Sequence, residues 1–556
     1  MTKKFDDRVI PLGEPATTRA KLVGVAMALF AAFGGFLYGY DTGYISGTKE
    51  MAYWKSLFGD QIADGSYILT TANDSLVTSI LSAGTFTGAL LAYPFGDRLG
   101  RRWGVIVACL IFCIGVALQT ASTDIPVFAV GRVFAGLGVG MTSCLVPMYQ
   151  SECAPKWIRG AVVACYQWAI TIGLLVAAIV VNATQDINNA SSYRIPIGIQ
   201  FVWAVILSLG LYILPESPKY LILKGREEEA KKSLSRLLSI PATSPQVLSE
   251  YDEVCESLRA ERAMGTSTYA DCFKSGPGKY RLRTLTGMGI QALQQLTGIN
   301  FIFYYGTTFF KNSGIKEAFT ITIITNVVNV VMTIPGIWLV DKAGRRSLLL
   351  TGAAIMCVCE FIVAIIGLKL ESSNLAGQRA LISLVCIYIG AFAATWVSFL
   401  KSSGLLSLYS FLSTCLCFFF QGPIAWVVTS EIYPLAIRAK AMSMSTASNW
   451  ALNFAIGYST PYLVDVGPGK AGLQSNVFFI WGACCGLCFL FTFFCIPETK
   501  GLSLEQVDQL YMNSSILGSN AYRRRLVNGE FDTHQPTTPL GSIVEDDRAD
   551  KLAKVA

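Results

Sequence analysis

The chain has 556 residues, of which 53% are hydrophobic and 15% are charged, whereas about 25% of the residues in an average soluble domain carry charge. This composition argues against a soluble fold. In a membrane protein, a net charge of +7 is explained by basic loops beside the membrane, so it does not indicate nucleic acid binding. The single histidine, His534, lies in a polar C-terminal stretch, so the apolar part has no histidine for a metal site or a Ser-His-Asp triad. We therefore expect a membrane protein that is not an enzyme and that uses no metal and no cofactor.

Long apolar runs predict the membrane-spanning helices, since one span takes about 20 residues. Six runs precede a polar interruption, and nominally seven follow it. The predicted segments, in chain order, are a cytosolic N-terminal tail (1–21), a six-helix bundle (22–214), a cytosolic helical linker (215–283), a second six-helix bundle (284–500) and a cytosolic C-terminal tail (501–556). The expected fold class is an all-α protein in a lipid bilayer.

Basic residues follow every second run, which places those loops and both termini in the cytosol. The loop residues are Arg98, Arg101, Arg102, Lys156, Arg159, Lys342, Arg345 and Arg346. The sequons at Asn182 and Asn189 then lie on the opposite side and are candidates for glycosylation.

Three segments of the first half return in the second half. They are GDRLGRR (96–102) and DKAGRR (341–346), the ExxPxxxRG pattern at 152–160 and ExxPxxxRA at 431–439, and PESPK (215–219) and PETKG (497–501). This repetition predicts two homologous halves of six spans each.

Taken together, the motifs resemble the sugar porter family of the major facilitator superfamily. They are GYDTGYISG (39–47), GDRLGRR, GRVFAGLGVG (131–140), PESPKYL, QQLTGINFIFYYG (294–306), DKAGRR, GPIAWVVTSEIYP (422–434), SNWALNF (448–454) and PETKG. The amino-acid sequences of these motifs are most similar to those of fungal hexose and other monosaccharide transporters, some of which are proton-coupled and others facilitators. The resemblance implies a twelve-helix fold whose halves are related by a pseudo-two-fold axis, alternating access, and a multi-pass protein of the plasma membrane that functions as a monomer.

One segment departs from the family pattern in the tenth span. Residues 397–421 separate Trp396 from Gly422, and their removal would leave the uninterrupted run ATWGPIAW. Because codons for Val-Ser and Gln at the two edges can match splice-site sequences, we hypothesise a retained intron; a genuine insertion is the alternative. The positive charges of Arg438 and Lys440 resist an extra crossing, so we expect a re-entrant or surface hairpin that disturbs the adjacent site.

Amides in apolar spans predict the substrate site, because they both donate and accept hydrogen bonds, and indole rings can cover the C–H face of a sugar. Gly298 is expected to loosen the helix between the amides that flank it. By resemblance, the sugar-contacting positions are Gln167, Gln294, Gln295, Asn300, Asn329, Trp426, Asn449, Trp450 and Asn453. Amides that only join helices are the alternative interpretation.

Asp41 and Arg132 form the predicted proton-coupling pair, since a carboxylate in a membrane span can exchange its proton as its contact with a cation changes. A permanent structural ion pair is the alternative. Tyr304 and Tyr305 resemble gate aromatics, with plain packing as the alternative.

A charged network is expected where the cytosolic ends of the helices meet, and it would hold the halves together on that side. Its members are Asp97, Arg98, Arg101, Arg102, Glu152, Arg159, Asp341, Arg345, Arg346, Glu431 and Arg438. Ordinary topogenic charge is the alternative.

The leading interpretation is transport of a monosaccharide, a hexose such as glucose, together with a proton. The alternatives are a facilitative uniporter, a transporter-like sugar sensor and an inactive translation product that contains the insert. Sensors that resemble this family usually carry a long cytosolic tail, whereas about 55 residues follow PETKG here.

Overall fold

In the computed structural model, the described residues are 25–528 except 28, 63–64, 155–158, 264–267, 277, 316, 370–374, 394–421, 435–436 and 503. The predicted insert (397–421) and the predicted N-terminal tail (1–21) lie outside this set. Almost all regular structure in the described part is helical. The exception is a short antiparallel hairpin of β1 (Asp60–Gln61) and β2 (Tyr67–Ile68).

The first half of the chain forms eight helices within its described residues. These are α1 (Phe33–Thr48), α2 (Ala52–Phe58), α3 (Thr71–Leu99), α4 (Arg101–Ala121), α5 (Ile125–Cys153), α6 (Arg159–Thr184), α7 (Ser191–Gly198) and α8 (Gln200–Ile213). Helix α1 packs on α6, and α5 packs on both α3 and α4.

The region predicted as a linker contains helices α9 (Pro218–Leu223), α10 (Glu227–Leu238) and α11 (Pro245–Ala263), and a 3-10 turn at Ala270–Phe273. Three glutamates begin α10 and Arg236 lies in its last turn, an order that complements the helix dipole. Ala230, Leu234 and Val247 form part of a small apolar core that is separate from the main one. The linker is therefore a packed helical unit.

The second half repeats the pattern of the first. Its helices are α12 (Tyr280–Leu296), α13 (Ile299–Asn312), α14 (Ala318–Ala343), α15 (Arg345–Lys369), α16 (Leu375–Ala393), α17 (Gly422–Glu431), α18 (Arg438–Val464) and α19 (Val477–Cys495). Two helices that the sequence analysis did not predict, α20 (Leu504–Asn513) and α21 (Ser519–Val527), follow in the C-terminal segment. They are short and polar, so they give no signal as apolar runs.

Seven helical stretches in the described part are each long and apolar enough to cross a bilayer. They are Thr71–Leu99, Arg101–Ala121, Ile125–Cys153, Cys165–Thr184, Ser191–Ile213, Arg345–Leu368 and Gln474–Cys495. Five further spans complete a twelve-span arrangement. They are α1, α12 together with α13, α14, α16 together with α17, and α18. Large apolar side chains face outward on several spans, among them Leu110, Leu209 and Leu487, each more than half exposed. Such a surface suits the hydrocarbon interior of a bilayer.

The internal repeat is visible in the turn between two pairs of helices. Gly100 joins α3 to α4 and Gly344 joins α14 to α15, each with a φ of 96°. This left-handed backbone region is open to glycine at little cost, because glycine has no Cβ. The two GRR motifs therefore fold into the same turn.

The halves meet mainly where α3 packs on α18 and where α6 packs on α14, with α1 also contacting α13.

One end of the molecule carries the β1–β2 hairpin, and we call it the hairpin end. The opposite end carries the Gly100 and Gly344 turns and the linker, and we call it the linker end. Asn189 is exposed in the hairpin-end loop after α6, whereas Asn182 is half-buried within α6.

Candidate functional site

A cluster of amides lies between the two halves, and Gln295 is at its centre. Helix α12 ends just before Gly298, whose φ of 78° starts α13 in a new direction. This break brings Asn300 back to Gln295, so that Asn300 Nδ2 donates a hydrogen bond to Gln295 Oε1. The predicted loosening at Gly298 is confirmed as a full interruption of the helix.

Helix α18 provides the second wall of the cluster. Gln295 Nε2 donates to Asn449 Oδ1 at 2.8 Å, and Asn453 Nδ2 donates to Gln295 Oε1 at 3.1 Å. Asn449 Nδ2 also donates to Gln294 Oε1 at 3.1 Å and to Gln291 Oε1 at 2.8 Å. Gln291 was not predicted as a member of the site, although its spacing of four from Gln295 places both on one helix face.

The cluster reaches the first half through two contacts. Ser82 Oγ, near the middle of α3, donates to Asn453 Oδ1 at 2.6 Å. The Trp450 ring meets the edge of the Tyr38 ring of α1, with centroids 5.5 Å apart and planes at 74°. Ser82 and Tyr38 were not predicted, because serine and tyrosine are common in packed helices and carry no distinguishing pattern.

Three predicted sugar-contacting residues lie elsewhere on the same bundles. Gln167 on α6 and Trp426 on α17 are half-buried, and Asn329 on α14 is buried. Among the described residues, the structure records no hydrogen bond from these side chains to the amide cluster. Their assignment to the site remains a prediction.

Tyr304 and Tyr305 lie between the amide cluster and the hairpin end. The Tyr304 hydroxyl donates to Asn453 Oδ1 at 3.0 Å, and the Tyr305 hydroxyl donates to the Gly457 carbonyl at 2.7 Å. The Lys49 ammonium lies 3.6 Å from the centroid of the Tyr305 ring. One tyrosine thus contacts the predicted substrate residues, and the other contacts the charged groups at the hairpin end.

At the hairpin end, charged and hydroxyl side chains join the halves. Glu50 of the first half lies 2.8 Å from Lys55 and 3.2 Å from Lys311 of the second half, and it accepts a hydrogen bond from Thr308 at 2.7 Å. Thr71 Oγ1 donates to Asp465 Oδ2 at 2.6 Å. The contacts that join the two halves were not predicted, because each of them links residues more than 250 positions apart.

Asp41 and Arg132 are both fully buried, and Arg132 Nη1 lies 3.7 Å from Asp41 Oδ1. Arg132 makes its hydrogen bonds to other groups, namely the Tyr44 hydroxyl at 3.1 Å and the Val77 carbonyl at 3.3 Å. Neither carboxylate oxygen of Asp41 has a hydrogen-bond partner in the described structure. The two predicted residues are therefore brought together, but the acid is held by charge alone.

The GDRLGRR motif forms its charged contacts within the first half. Arg101 Nη2 donates to Glu152 Oε1 at 3.0 Å, and Arg101 also lies 3.5 Å from Asp97. Glu216 of PESPK accepts from the backbone N–H of Arg101 at 3.0 Å and of Arg102 at 3.1 Å. Burial raises the pKa of Glu216, and these backbone donors oppose that shift.

The second half repeats these contacts with its own residues. Arg345 Nη2 donates to Glu431 Oε1 at 2.9 Å. Glu498 of PETKG accepts from the backbone N–H of Arg345 at 2.9 Å and of Arg346 at 3.1 Å. PESPK and PETKG form a repeat in the sequence, but Glu216 and Glu498 were not predicted as partners of the arginines.

In this structure each of these arginine–glutamate pairs lies within one half, and the ring of ion pairs between the halves stays a prediction. Arg438 donates to the Tyr433 carbonyl of its own half at 3.2 Å, and Arg98 is exposed. The side chains of Arg159 and Asp341 lie outside the described set. The network braces each half at the linker end, while the hairpin-end contacts join the two halves.

The family model described as "Sugar (and other) transporter" matches residues 27–403 and 399–511. The two matched segments meet inside the stretch predicted as an insert. The chain therefore belongs to the sugar transporter family of the major facilitator superfamily.

Curated relatives are similar over most of this chain. A major facilitator-type transporter, ecdD, of Aspergillus rugulosus is 48% identical over 92% of this chain and 91% of its own length. The probable glucose transporter rco-3 of Neurospora crassa is 44% identical over 88% and 79%. The high glucose sensor RGT2 of Saccharomyces cerevisiae is 41% identical over 90% of this chain, which spans 62% of the sensor's length.

Among solved structures, the proton:xylose symporter XylE of E. coli bound to 6-bromo-6-deoxy-D-glucose is similar, with a TM-score of 0.70 and 27% identity. The match covers 88% of this chain and 99% of the symporter chain. The two-half, twelve-helix major facilitator fold expected from the sequence is confirmed, and the chain is a multi-pass membrane protein.

The hairpin-end contacts predict a pH-dependent conformational equilibrium. Burial raises the pKa of Glu50, whereas the positive charges of Lys55 and Lys311 lower it. The lowering is the larger effect, so the net pKa lies below the ordinary value of 4.5. A carboxylate whose pKa is lowered in the joined state stabilises that state at any pH above the ordinary pKa of the group. This contribution is lost as the pH falls through the lowered pKa. Acidification from about pH 5 to below the lowered pKa of Glu50 should therefore separate the hairpin ends, and Glu50→Gln should remove the part of this response that Glu50 supplies.

Distances between spin labels on non-canonical residues at exposed positions 61 and 469 measure this separation. Glu317→Gln is the matched control, because Glu317 is an exposed acid of the same end that lies outside these contacts. A Glu50→Gln protein whose distance distribution follows pH as the unmodified protein does would contradict the prediction.

Proposed function

We propose that the chain carries a monosaccharide, a hexose such as glucose, across the plasma membrane together with a proton. The observation that carries this proposal is the amide cluster around Gln295, which lies between two homologous halves. Its donors and acceptors alternate over several side chains, as the hydroxyl groups of a sugar require. The indole of Trp450 and the ring of Tyr38 add the aromatic surface that a sugar's C–H face prefers.

The amides form hydrogen bonds with one another, and this property suits a carrier. Inside a bilayer, an unpaired amide is costly, so an empty site needs internal partners. A sugar can replace these partners one by one, because each amide exchanges a protein hydrogen bond for a hydroxyl hydrogen bond of similar strength. The net free energy of binding is then modest, and release on the other side remains fast.

Alternating access is supported by the two ends of the molecule. At the hairpin end, Glu50 and Lys311 join the halves, whereas the arginine networks at the linker end each close within one half. Charged contacts of this kind are individually weak, so they can bias two conformations without locking one of them. The proposed orientation has the linker end and both termini in the cytosol.

Proton coupling is supported by Asp41, a buried acid with Arg132 as its neighbouring cation and without a hydrogen bond. A small movement of Arg132 changes the charge environment of that acid, which favours proton uptake when the cation moves away. A relative of solved structure is named a proton:xylose symporter. Facilitated uniport is the second candidate, in which Asp41 and Arg132 form a permanent structural pair.

A transporter-like sensor is a third candidate, favoured by the similarity to the high glucose sensor RGT2. Uptake of labelled hexose in a cell that lacks its own hexose transporters distinguishes the two classes. A transporter restores uptake, whereas a sensor binds sugar and changes gene expression without restoring uptake.

Gln295→Ala should weaken sugar binding by about tenfold or more, because it removes hydrogen bonds and leaves buried partners unpaired. The measurement is the KM of hexose uptake, together with sugar binding by the purified protein. Asn326→Ala is the matched control, since Asn326 is a buried amide of α14 that donates to the Thr322 carbonyl of its own helix. Unchanged sugar affinity in Gln295→Ala would instead support an amide that only joins helices.

Asp41→Asn should abolish accumulation of sugar against its gradient while retaining sugar exchange across the membrane. The asparagine keeps the size of the side chain but cannot carry the proton. Vesicles with an imposed proton gradient measure accumulation, and counterflow of labelled sugar measures exchange. If the variant still accumulates sugar with proton influx, Asp41 does not couple the two; if the unmodified protein moves no proton with sugar, the uniport candidate replaces symport.

Removal of residues 397–421 should raise transport activity, because this segment directly precedes Gly422 and therefore the helix that carries Trp426. Both forms should be produced in the same transport-deficient cell and compared at equal surface amount with several labelled monosaccharides. Equal uptake by the two forms would show that the segment does not disturb the site. The preferred sugar follows from the same measurement.

A further inference from the structure

A cavity lies at the hairpin end, on the outer side of Tyr305. Its volume is about 140 Å³, which is room for several water molecules or for one small polar ligand. Asp74 of α3 lines it from the first half, and most of the other walls come from α13, from the C-terminal end of α18 and from the 3-10 turn Gln474–Asn476. The exposed side chains of Asn312 and Gln474 mark its opening toward the solvent at this end.

One face of α13 forms a wall of the cavity and continues toward the amide cluster. Tyr305, Phe309 and Asn312 are spaced by four and three residues, so they lie on one face of the helix. Tyr305 is at the inner end of this face, and the preceding residue, Tyr304, donates a hydrogen bond of 3.0 Å to Asn453 of the amide cluster. A ligand in the cavity would therefore be separated from the amide cluster by the two tyrosines.

The two acids that line the cavity each have a neighbouring cation. Asp74 Oδ1 accepts a hydrogen bond from Lys49 Nζ at 2.7 Å, and Asp465 Oδ2 lies 3.6 Å from Lys470 Nζ. Because each negative charge is balanced in this way, the cavity has no excess charge with which to attract an ion. Its chemistry favours a neutral ligand.

The lining also offers hydrogen-bonding groups of both kinds. Within the described part of the chain, Asp74 Oδ2 and Asp465 Oδ1 receive no hydrogen bond, and both can accept one from a hydroxyl group. The side-chain amides of Asn312 and Gln474 can both donate and accept. The ring of Phe309 adds an aromatic surface, so the cavity combines the groups that recognise the hydroxyls and the C–H face of a sugar.

We propose that this cavity is an outer binding site, which holds a monosaccharide at the hairpin end before Tyr304 and Tyr305 move aside. The inference rests on the proposed transport function, and it adds a second sugar site outside the amide cluster. Such a site raises the local sugar concentration beside the two tyrosines. Its loss therefore reduces uptake at low external sugar and has little effect at saturation.

The double variant Asn312→Ala/Gln474→Ala tests the outer site, because it removes two exposed amides of the lining. The probe is a glucose derivative with a photoreactive diazirine at C6, the position that is substituted in the sugar bound to the related symporter. In the purified unmodified protein, light should attach the probe both to residues 308–313 and 464–475 and to the amide cluster. The double variant should lose the first attachment by about tenfold, since two hydrogen bonds are removed, and keep the second.

Gln61→Ala/Asn188→Ala is the matched control, since it removes one glutamine and one asparagine side chain that are exposed at the same end and do not line the cavity. Gln295→Ala should show the converse result, with weak attachment at the amide cluster and unchanged attachment at the cavity. Excess unlabelled glucose should suppress both attachments. Attachment at the amide cluster alone, attachment at the cavity that glucose does not suppress, or equal attachment in the double variant and the unmodified protein would overturn the proposal.

Hexose uptake separates this inference from the proposed function. At sugar concentrations well below KM, the double variant should take up hexose about threefold more slowly, with a maximal rate within about twofold of the unmodified protein. Uptake that matches the unmodified protein at every concentration would overturn the role of the site in transport. Attachment at the cavity in a protein without uptake would refute transport and leave the outer site standing, whereas normal uptake without attachment at the cavity would do the opposite.

Discussion

The constraint on which this structure depends is that a polar side chain inside a bilayer must find its partner within the protein. Gln295 meets this requirement with three asparagines, and each of these side chains is buried. Helices α3 and α18 approach closely where Ser82 donates a hydrogen bond to Asn453. The same amides that would bind a substrate therefore hold the two halves in register when the site is empty.

This dual use of the amides explains why the helix break at Gly298 is placed within the site. An unbroken helix would point Gln295 and Asn300 in different directions, because five residues are about 1.4 turns. The break costs intrahelical hydrogen bonds, which other groups must replace. The Tyr388 hydroxyl replaces one of them at Thr297, and the irregular backbone lies where it lines a polar region.

Much of the fold could be predicted from the sequence, because apolar runs and repeated charged motifs are local signals. The turns at Gly100 and Gly344, the pairing of Arg101 with Glu152 and of Arg345 with Glu431, and the amides of α12 and α18 all lie in motifs that can be read in one pass. The contacts of Glu50 with Thr308 and Lys311 and the contact of Trp450 with Tyr38 could not be predicted, because they depend on packing between distant helices. Asn329 and Gln167 show the reverse case, since their residue type matches the pattern but their described contacts do not reach the cluster.

The distribution of charge between the two ends follows from the same constraint. At the linker end, Glu216 and Glu498 bind backbone N–H groups at helix starts, so each network is an integral part of its own bundle and moves with it. At the hairpin end, Glu50 binds side chains of both halves, which can separate without breaking a helix. A rocking motion of two rigid bundles would therefore leave the linker-end networks intact and exchange only the hairpin-end contacts and the amide contacts with water or substrate. Among the described residues, the polar contacts given above that such a motion would break belong to a small number of side chains.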